Sequence, residues 1–136
     1  LFAVCLNPHS QTVSYSSAGH QANILFRSDE IVRLSSTGMV LGIQEGSEYP
    51  TPPRISLNSG DLIVLATDGV MEQASIGSIP GNVGELFGWQ RTMESIRSNR
   101  HRSASEILQH LCEDVRGFAQ GAPQQDDVTA VIIKVR

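Results

Sequence analysis

The sequence predicts an α+β domain, a sandwich of mainly antiparallel strands packed against an antiparallel pair of helices. Three observations carry this expectation. Short strand-like runs separated by Asn, Pro, Gly and Asp turns fill the first seventy residues; two amphipathic helical stripes follow; and a β-branched run closes the chain. A chain of 136 residues suits a single domain, and 40% hydrophobic with 18% charged residues suits a folded core rather than disorder.

Residues 1–6 form an apolar run, Asn7-Pro8-His9-Ser10 a turn, and residues 12–16 an alternating β-branched and polar run, which together read as a hairpin. Residues 23–27 and 30–34 read as a second hairpin closed by Ser28-Asp29. Gly38, Gly42 and Gly46 break up the next stretch, and Tyr49-Pro50-Thr51-Pro52-Pro53 must be extended or turned, because proline lacks a donor and biases its predecessor away from helix. Residues 54–57 form a further strand, and Asn58-Ser59-Gly60-Asp61 a tight turn. Residues 62–67, Leu-Ile-Val-Leu-Ala-Thr, are the most apolar run of the chain and suit a strand covered on both faces.

After a loop over residues 74–84, which includes Gly81-Asn82-Val83-Gly84, the period changes. Trp89, Met93, Ile96 and Arg97 recur at helical spacing, with Trp89 expected in the core. The second helix is signalled by a capping box, with Ser103 as N-cap and Glu106 reaching back. Ile107, Leu108, Leu111, Val115 and Phe118 share its stripe, and Gly117, Gly121 and Pro123 are expected to end it. Residues 128–135 form the closing strand.

Ten basic against fourteen acidic residues give a net charge of −4, which argues against nucleic acid or an anionic membrane as a partner. No apolar run reaches the ~20 residues of a spanning helix. Cys5 and Cys112 are too few and too far apart for a disulfide scaffold or a zinc site, and read as buried, reduced thiols of a cytoplasmic protein. P-loop, G-x-G-x-x-G, H-E-x-x-H and G-x-S-x-G patterns are absent, and the four histidines show no metal-cluster spacing.

The acidic residues are better placed. Asp68 follows the buried run directly, with Gly69 allowing a sharp turn beside it. Asp126-Asp127 opens the last strand. Adjacent carboxylates repel unless a cation or hydrogen bonds offset them, and hard ions such as Mg²⁺ and Mn²⁺ take such oxygen ligands. Asp is equally at home starting a turn or capping a loop, so spacing alone leaves both readings open.

The local text bears on that choice. Residues 60–72, GDLIVLATDGVME, resemble the "GD-x-L-x-L-x-TDGV-x-E" segment of bacterial SpoIIE/RsbU-type phosphatases, metal-dependent serine/threonine phosphatases of the 2C type. Residues 17–25 resemble their "AGH" segment and the strand after it, Leu41-Gly42 their "LG", residues 85–88 their "ELFG", and residues 124–129 their closing "QDD-x-T". The resemblance implies a layered α-β-β-α sandwich and a pair of Mn²⁺ or Mg²⁺ ions that activate water against a phosphoserine or phosphothreonine. It implies Asp68 and Asp126 as metal ligands, with Asp127 and Gly69 as candidates for a supporting role or a third metal. The family's N-terminal "GD-x-x-D" hairpin has no counterpart here, so residues 1–136 are expected to be the C-terminal portion of the domain, inactive alone.

The implied substrate is a phosphorylated anti-sigma-factor antagonist in bacterial signalling, under an upstream sensory or receiver domain. The alternative is a catalytically inactive phosphatase-like interaction or regulatory module. A weaker rival is a metal-independent hydrolase using a serine and His20. His20 more readily suits a structural turn, Glu72 a solvated loop, and Arg97, Arg100, His101 and Arg102 a solvated interhelix segment, although these basic residues could steer an acidic partner.

Overall fold

The computed structural model describes residues 1–20, 23–28, 30–76 and 85–136. It is an α+β fold with two sheets and a helix pair, consistent with a layered α-β-β-α sandwich. Strands β1 (Phe2–Asn7), β2 (Thr12–Ser17) and β5 (Ile55–Ser56) form one sheet in the order β1-β2-β5. Strands β3 (Asn23–Arg27), β4 (Glu30–Arg33), β6 (Leu62–Ala66) and β7 (Ala130–Lys134) form the other, in the order β4-β3-β6-β7. The helices are α1 (Gly88–Asn99) and α2 (Ala104–Ala119).

The chain divides into two compact units, residues 1–63 with 134–136 and residues 64–133. In the first, β1 and β2 pair antiparallel from Phe2↔Ser17 to Asn7↔Thr12. Their turn is an Asx turn, in which Asn7 Oδ1 accepts from the backbone N–H of His9 at 3.0 Å and of Ser10 at 3.1 Å. The second hairpin pairs Arg27 with Glu30, and Ser28 takes the left-handed conformation (φ 54°) that a two-residue loop demands. Asp29, the other half of the expected turn, lies outside the described residues, as do Gln21 and Ala22 of the "AGH" segment and residues 77–84 of the long loop.

Apolar burial follows the sequence pattern where strands are central. Ile24, Leu25 and Phe26 are all buried in β3, as are Leu62 and Ile63 at the start of β6. Asp61, in the turn before β6, is also buried, at 2% exposure. Its charge is met by Arg27, whose Nη2 donates to Asp61 Oδ2 at 2.8 Å and whose Nε donates at 3.2 Å. This bond and the neighbouring negative charge raise the Arg27 guanidinium above its ordinary pKa, against the opposing effect of desolvation. Asp61 Oδ2 also accepts from the N–H of Asn58 at 2.9 Å, so one carboxylate closes the turn and anchors β3's arginine.

In the second unit, α2 starts as the sequence predicts. The Ser103 hydroxyl accepts from the Glu106 N–H and the Glu106 carboxylate accepts from the Ser103 N–H. Ile107, Leu111 and Val115 are buried on one stripe, while Phe118 is half-buried and stacks edge-on against Phe87 with centroids 5.6 Å apart.

Several expectations need correction. Gly117 lies inside α2 rather than ending it, since its neighbours supply enough packing to offset one flexible residue; the helix stops at Gln120, in a left-handed cap, followed by Gly121. Trp89 is half-buried, because α1 turns Thr92, Met93, Ser95 and Ile96 inward and leaves position 89 at the edge of that face. The cysteines are free but not buried: Cys5 shares the outward face of β1 with Ala3, and Cys112 is intermediate. Regular pairing in β6 stops at Ala66, and β7 begins only at Ala130. That early stop shapes the candidate site.

Candidate functional site

Where β6 ends, the chain turns through one 3-10 turn, Asp68–Val70. Its carbonyl at Asp68 accepts from the N–H groups of both Met71 and Glu72 at 2.8 Å, and Val70 is fully buried, which pins the turn to the core. Asp68 itself is exposed, and its Oδ1 accepts from the Gly69 N–H at 3.2 Å. A carboxylate is thus held by a rigid turn yet open to solvent.

The Asp126-Asp127 segment comes back to the same place. The Thr67 N–H donates to the Thr129 carbonyl at 2.9 Å, and the Thr67 hydroxyl donates to the Asp127 carbonyl at 2.9 Å. The same hydroxyl accepts from the Thr129 N–H at 3.0 Å. At the opposite end, Gly60 and Asp61 exchange backbone bonds with Val135, so β7 runs antiparallel to β6. Asp126 Oδ1 accepts from the Asp127 N–H at 2.7 Å, and both aspartates are exposed.

Gly69 makes the approach possible. A Cβ built on it would lie 2.5 Å from the Asp127 carbonyl oxygen, 3.0 Å from its carbon and 3.3 Å from the Asp126 carbonyl oxygen. The chain turns sharply here as expected, but the glycine's φ is not in the left-handed region, and close backbone approach is what excludes a side chain. Gln73 adds support from below, buried at 5% exposure, with its amide donating to the carbonyls of Ala74 (3.0 Å) and Pro123 (3.5 Å).

The other singled-out residues fall elsewhere. His20 meets the Ser17 hydroxyl through its backbone carbonyl, at 3.1 Å, and its ring faces Phe2 at 6.3 Å; a serine–imidazole dyad is not what joins them. Glu72 is exposed. Arg97 lies 3.8 Å from Glu94 on its own helix, and Arg102 donates to Asn99 at 3.0 Å, so both have partners within or beside α1. A groove of about 490 Å³ beside the helix pair is lined by Phe87, Arg91, Ser95, Asp114 and Phe118 among others, but Arg91 is occupied by the Leu86 and Phe87 carbonyls, by Glu85 and by the Phe118 ring.

Sequence reasoning missed two residues. Thr67 entered only as the end of an apolar run, although a hydroxyl between a buried strand and an aspartate is a signal in itself. Asp61 entered as a turn residue; the cue was Arg27, a charge closing the buried strand β3 within reach of a carboxylate.

Comparison with known proteins places this geometry. No curated protein matches the chain. Among solved structures, the SiaA-PP2C domain of Pseudomonas aeruginosa superposes with a TM-score of 0.83 at 18% identity, over 99% of this chain and 51% of that one. The phosphatase domain of the cell fate determinant SpoIIE from Bacillus subtilis gives 0.64 at 16% identity, over 99% and 56%. The RsbU and RsbW domains of Rv1364c from Mycobacterium tuberculosis give 0.61 at 25% identity, over 96% and 34%. The chain therefore spans about half or less of the length of these structures. The family model for stage II sporulation protein E (SpoIIE) matches residues 1–136, and the chain belongs to that family of phosphatase-like proteins.

Proposed function

We propose that these 136 residues act as a phosphatase-like regulatory module that docks a protein partner carrying phosphoserine or phosphothreonine and does not hydrolyse it unaided. The observation that carries this reading is the union of two exposed acidic segments, Asp68 and Asp126-Asp127, where the described residues hold no group of three or more His, Cys, Asp or Glu able to bind a metal ion. The donors fit a hard divalent cation in kind, being carboxylates on a rigid turn, while their number leaves ligands to be supplied from elsewhere. Asp68 and Asp126 are the residues that would hold Mn²⁺ or Mg²⁺, with Asp127 and Gly69 in close backbone approach beside them. When bound, such an ion supplies charge against phosphoryl oxygens and acidifies water. Two bare carboxylates repel a phosphate dianion, so association of the phosphorylated group at this site requires the cation.

A second reading is favoured by the Thr67 and Gly69 contacts, which hold the two acidic segments together as a metal centre requires. Residues 1–136 are then the C-terminal portion of a complete metal-dependent phosphoprotein phosphatase. Further carboxylates come from beyond these residues, and the substrate is a phosphorylated anti-sigma-factor antagonist in cytoplasmic bacterial signalling, with an upstream sensory or receiver domain. Membership of the SpoIIE family supports a phosphorylated regulatory protein as the partner, and the anti-sigma-factor antagonist is the specific form of it proposed here. Among the described residues no helix is long and apolar enough to cross a membrane.

A manganese titration of the full-length protein with a phosphoserine peptide separates the readings, following peptide association and phosphate release together. Manganese-promoted association without release supports the module. Release abolished by a chelator supports the phosphatase. Release indifferent to chelator refutes both and leaves a metal-independent hydrolase.

A further inference from the structure

We propose that Thr67 is the positioning residue of the acidic pair: its single hydroxyl sets the spacing between Asp68 and Asp126. The inference rests on the reading of these two aspartates as cation ligands. Regular pairing stops at Ala66 on β6 and resumes at Ala130 on β7, so residues 67 and 127–129 lie beyond the strand ladder. A hydroxyl has one proton and two acceptor lone pairs. Here the proton goes to the Asp127 carbonyl (2.9 Å), and a lone pair receives the Thr129 N–H (3.0 Å). With the Thr67 N–H on the Thr129 carbonyl (2.9 Å), three bonds tie one residue to both ends of a three-residue segment.

Each acidic residue is one step from this clasp. Asp68 is the next residue after Thr67, and Asp126 precedes Asp127, whose carbonyl the hydroxyl holds. Gly69 packs against the same carbonyl, which leaves the Asp127 peptide held by both a hydrogen bond and a close backbone contact. Thr67 touches no ligand itself. It acts by denying Asp126 the freedom that a loop entering a strand would otherwise have, and groups of this supporting kind commonly change metal affinity by about 10–100-fold.

The test uses Thr67→Val, which keeps the shape and removes the hydroxyl, and Thr67→Ser, which keeps the hydroxyl. The probe is Mn²⁺ alone, added to the ¹⁵N-labelled chain, and the signal is selective broadening of the Gly69 and Asp127 amides relative to the β1–β2 hairpin. Thr67→Val is expected to raise the manganese midpoint at least about tenfold. Thr67→Ser stays within about twofold of wild type, and the hairpin resonances stay in place in both. Should Thr67→Val lose the hairpin resonances, Thr67→Ala replaces it under the same criterion. Equal midpoints for wild type and the hydroxyl-less variant overturn the assignment of Thr67 alone. Loss in the serine variant equal to that in the valine variant overturns it too. A wild-type spectrum with no selective broadening refutes the cation reading of Asp68 and Asp126, and the positioning role with it.

Discussion

Replacing Gly69 by alanine adds one methyl group where the structure has no room. The new Cβ would sit 2.5 Å from the Asp127 carbonyl oxygen and 3.0 Å from its carbon, both backbone atoms that no side-chain rotation can move aside. Gly69 is not in the left-handed region, so the penalty is purely steric rather than conformational. Overpacking of this kind costs about 2 kcal/mol when the surroundings give way only by shifting backbone. With a urea dependence of about 2 kcal/mol per molar, the midpoint falls by about 1 M. Gly117→Ala is the matched control: it lies in α2 with nothing within 4 Å of the added carbon, and gains about 1 kcal/mol from helix propensity. Urea unfolding followed by circular dichroism at 25 °C reads both. If Gly69→Ala matches wild type in midpoint and slope, the close approach of residues 69 and 127 is wrong.

Two further outcomes follow from the charged groups. Arg27→Met leaves the buried Asp61 carboxylate without its bidentate partner and costs about 3 kcal/mol, measured by the same unfolding; a loss below about 0.5 kcal/mol would show that water replaces the guanidinium freely. Glu106 has its pKa held below the ordinary 4.5 by hydrogen bonds from the Ser103 side chain and backbone. Because the folded-state value is the lower one, its contribution is complete above the unfolded pKa and disappears as pH falls through the folded value. Amide protection in the first turn of α2, the exchange rate relative to the intrinsic rate at each pH, should therefore fall on acidification through that range in wild type, but not in Glu106→Ala, which lacks the titrating carboxylate.

Legibility in the sequence tracked the range of the interactions. The Asn7 turn, the hairpin read over residues 23–27 and 30–34, the Ser103–Glu106 box and the apolar strand read over 62–67 are local patterns, and each is present, with β4 and β6 each ending one residue earlier. Ends and edges were less legible. Gly117 carries a helix-ending signal that packing on either side overrides, and Cys5 carries a buried-residue signal that the outward face of β1 overrides. The candidate site divides the same way. Asp68 and Asp126 announce themselves by lying at strand ends, whereas Thr67 and Gly69 acquire their roles only through residues some sixty positions away. A spacing argument cannot supply that partner.

The claim on which the site depends is that residues 67–69 and 126–129 form one clasp. Nuclear Overhauser effects in the metal-free chain test it directly. The clasp predicts cross-peaks from the Gly69 α-protons to the Val128 amide and from the Thr67 side chain to the Thr129 amide, since the atoms between them are bonded or in van der Waals contact. Absence of both, with the β1–β2 cross-peaks present as an internal standard, would contradict it and separate Asp68 from Asp126.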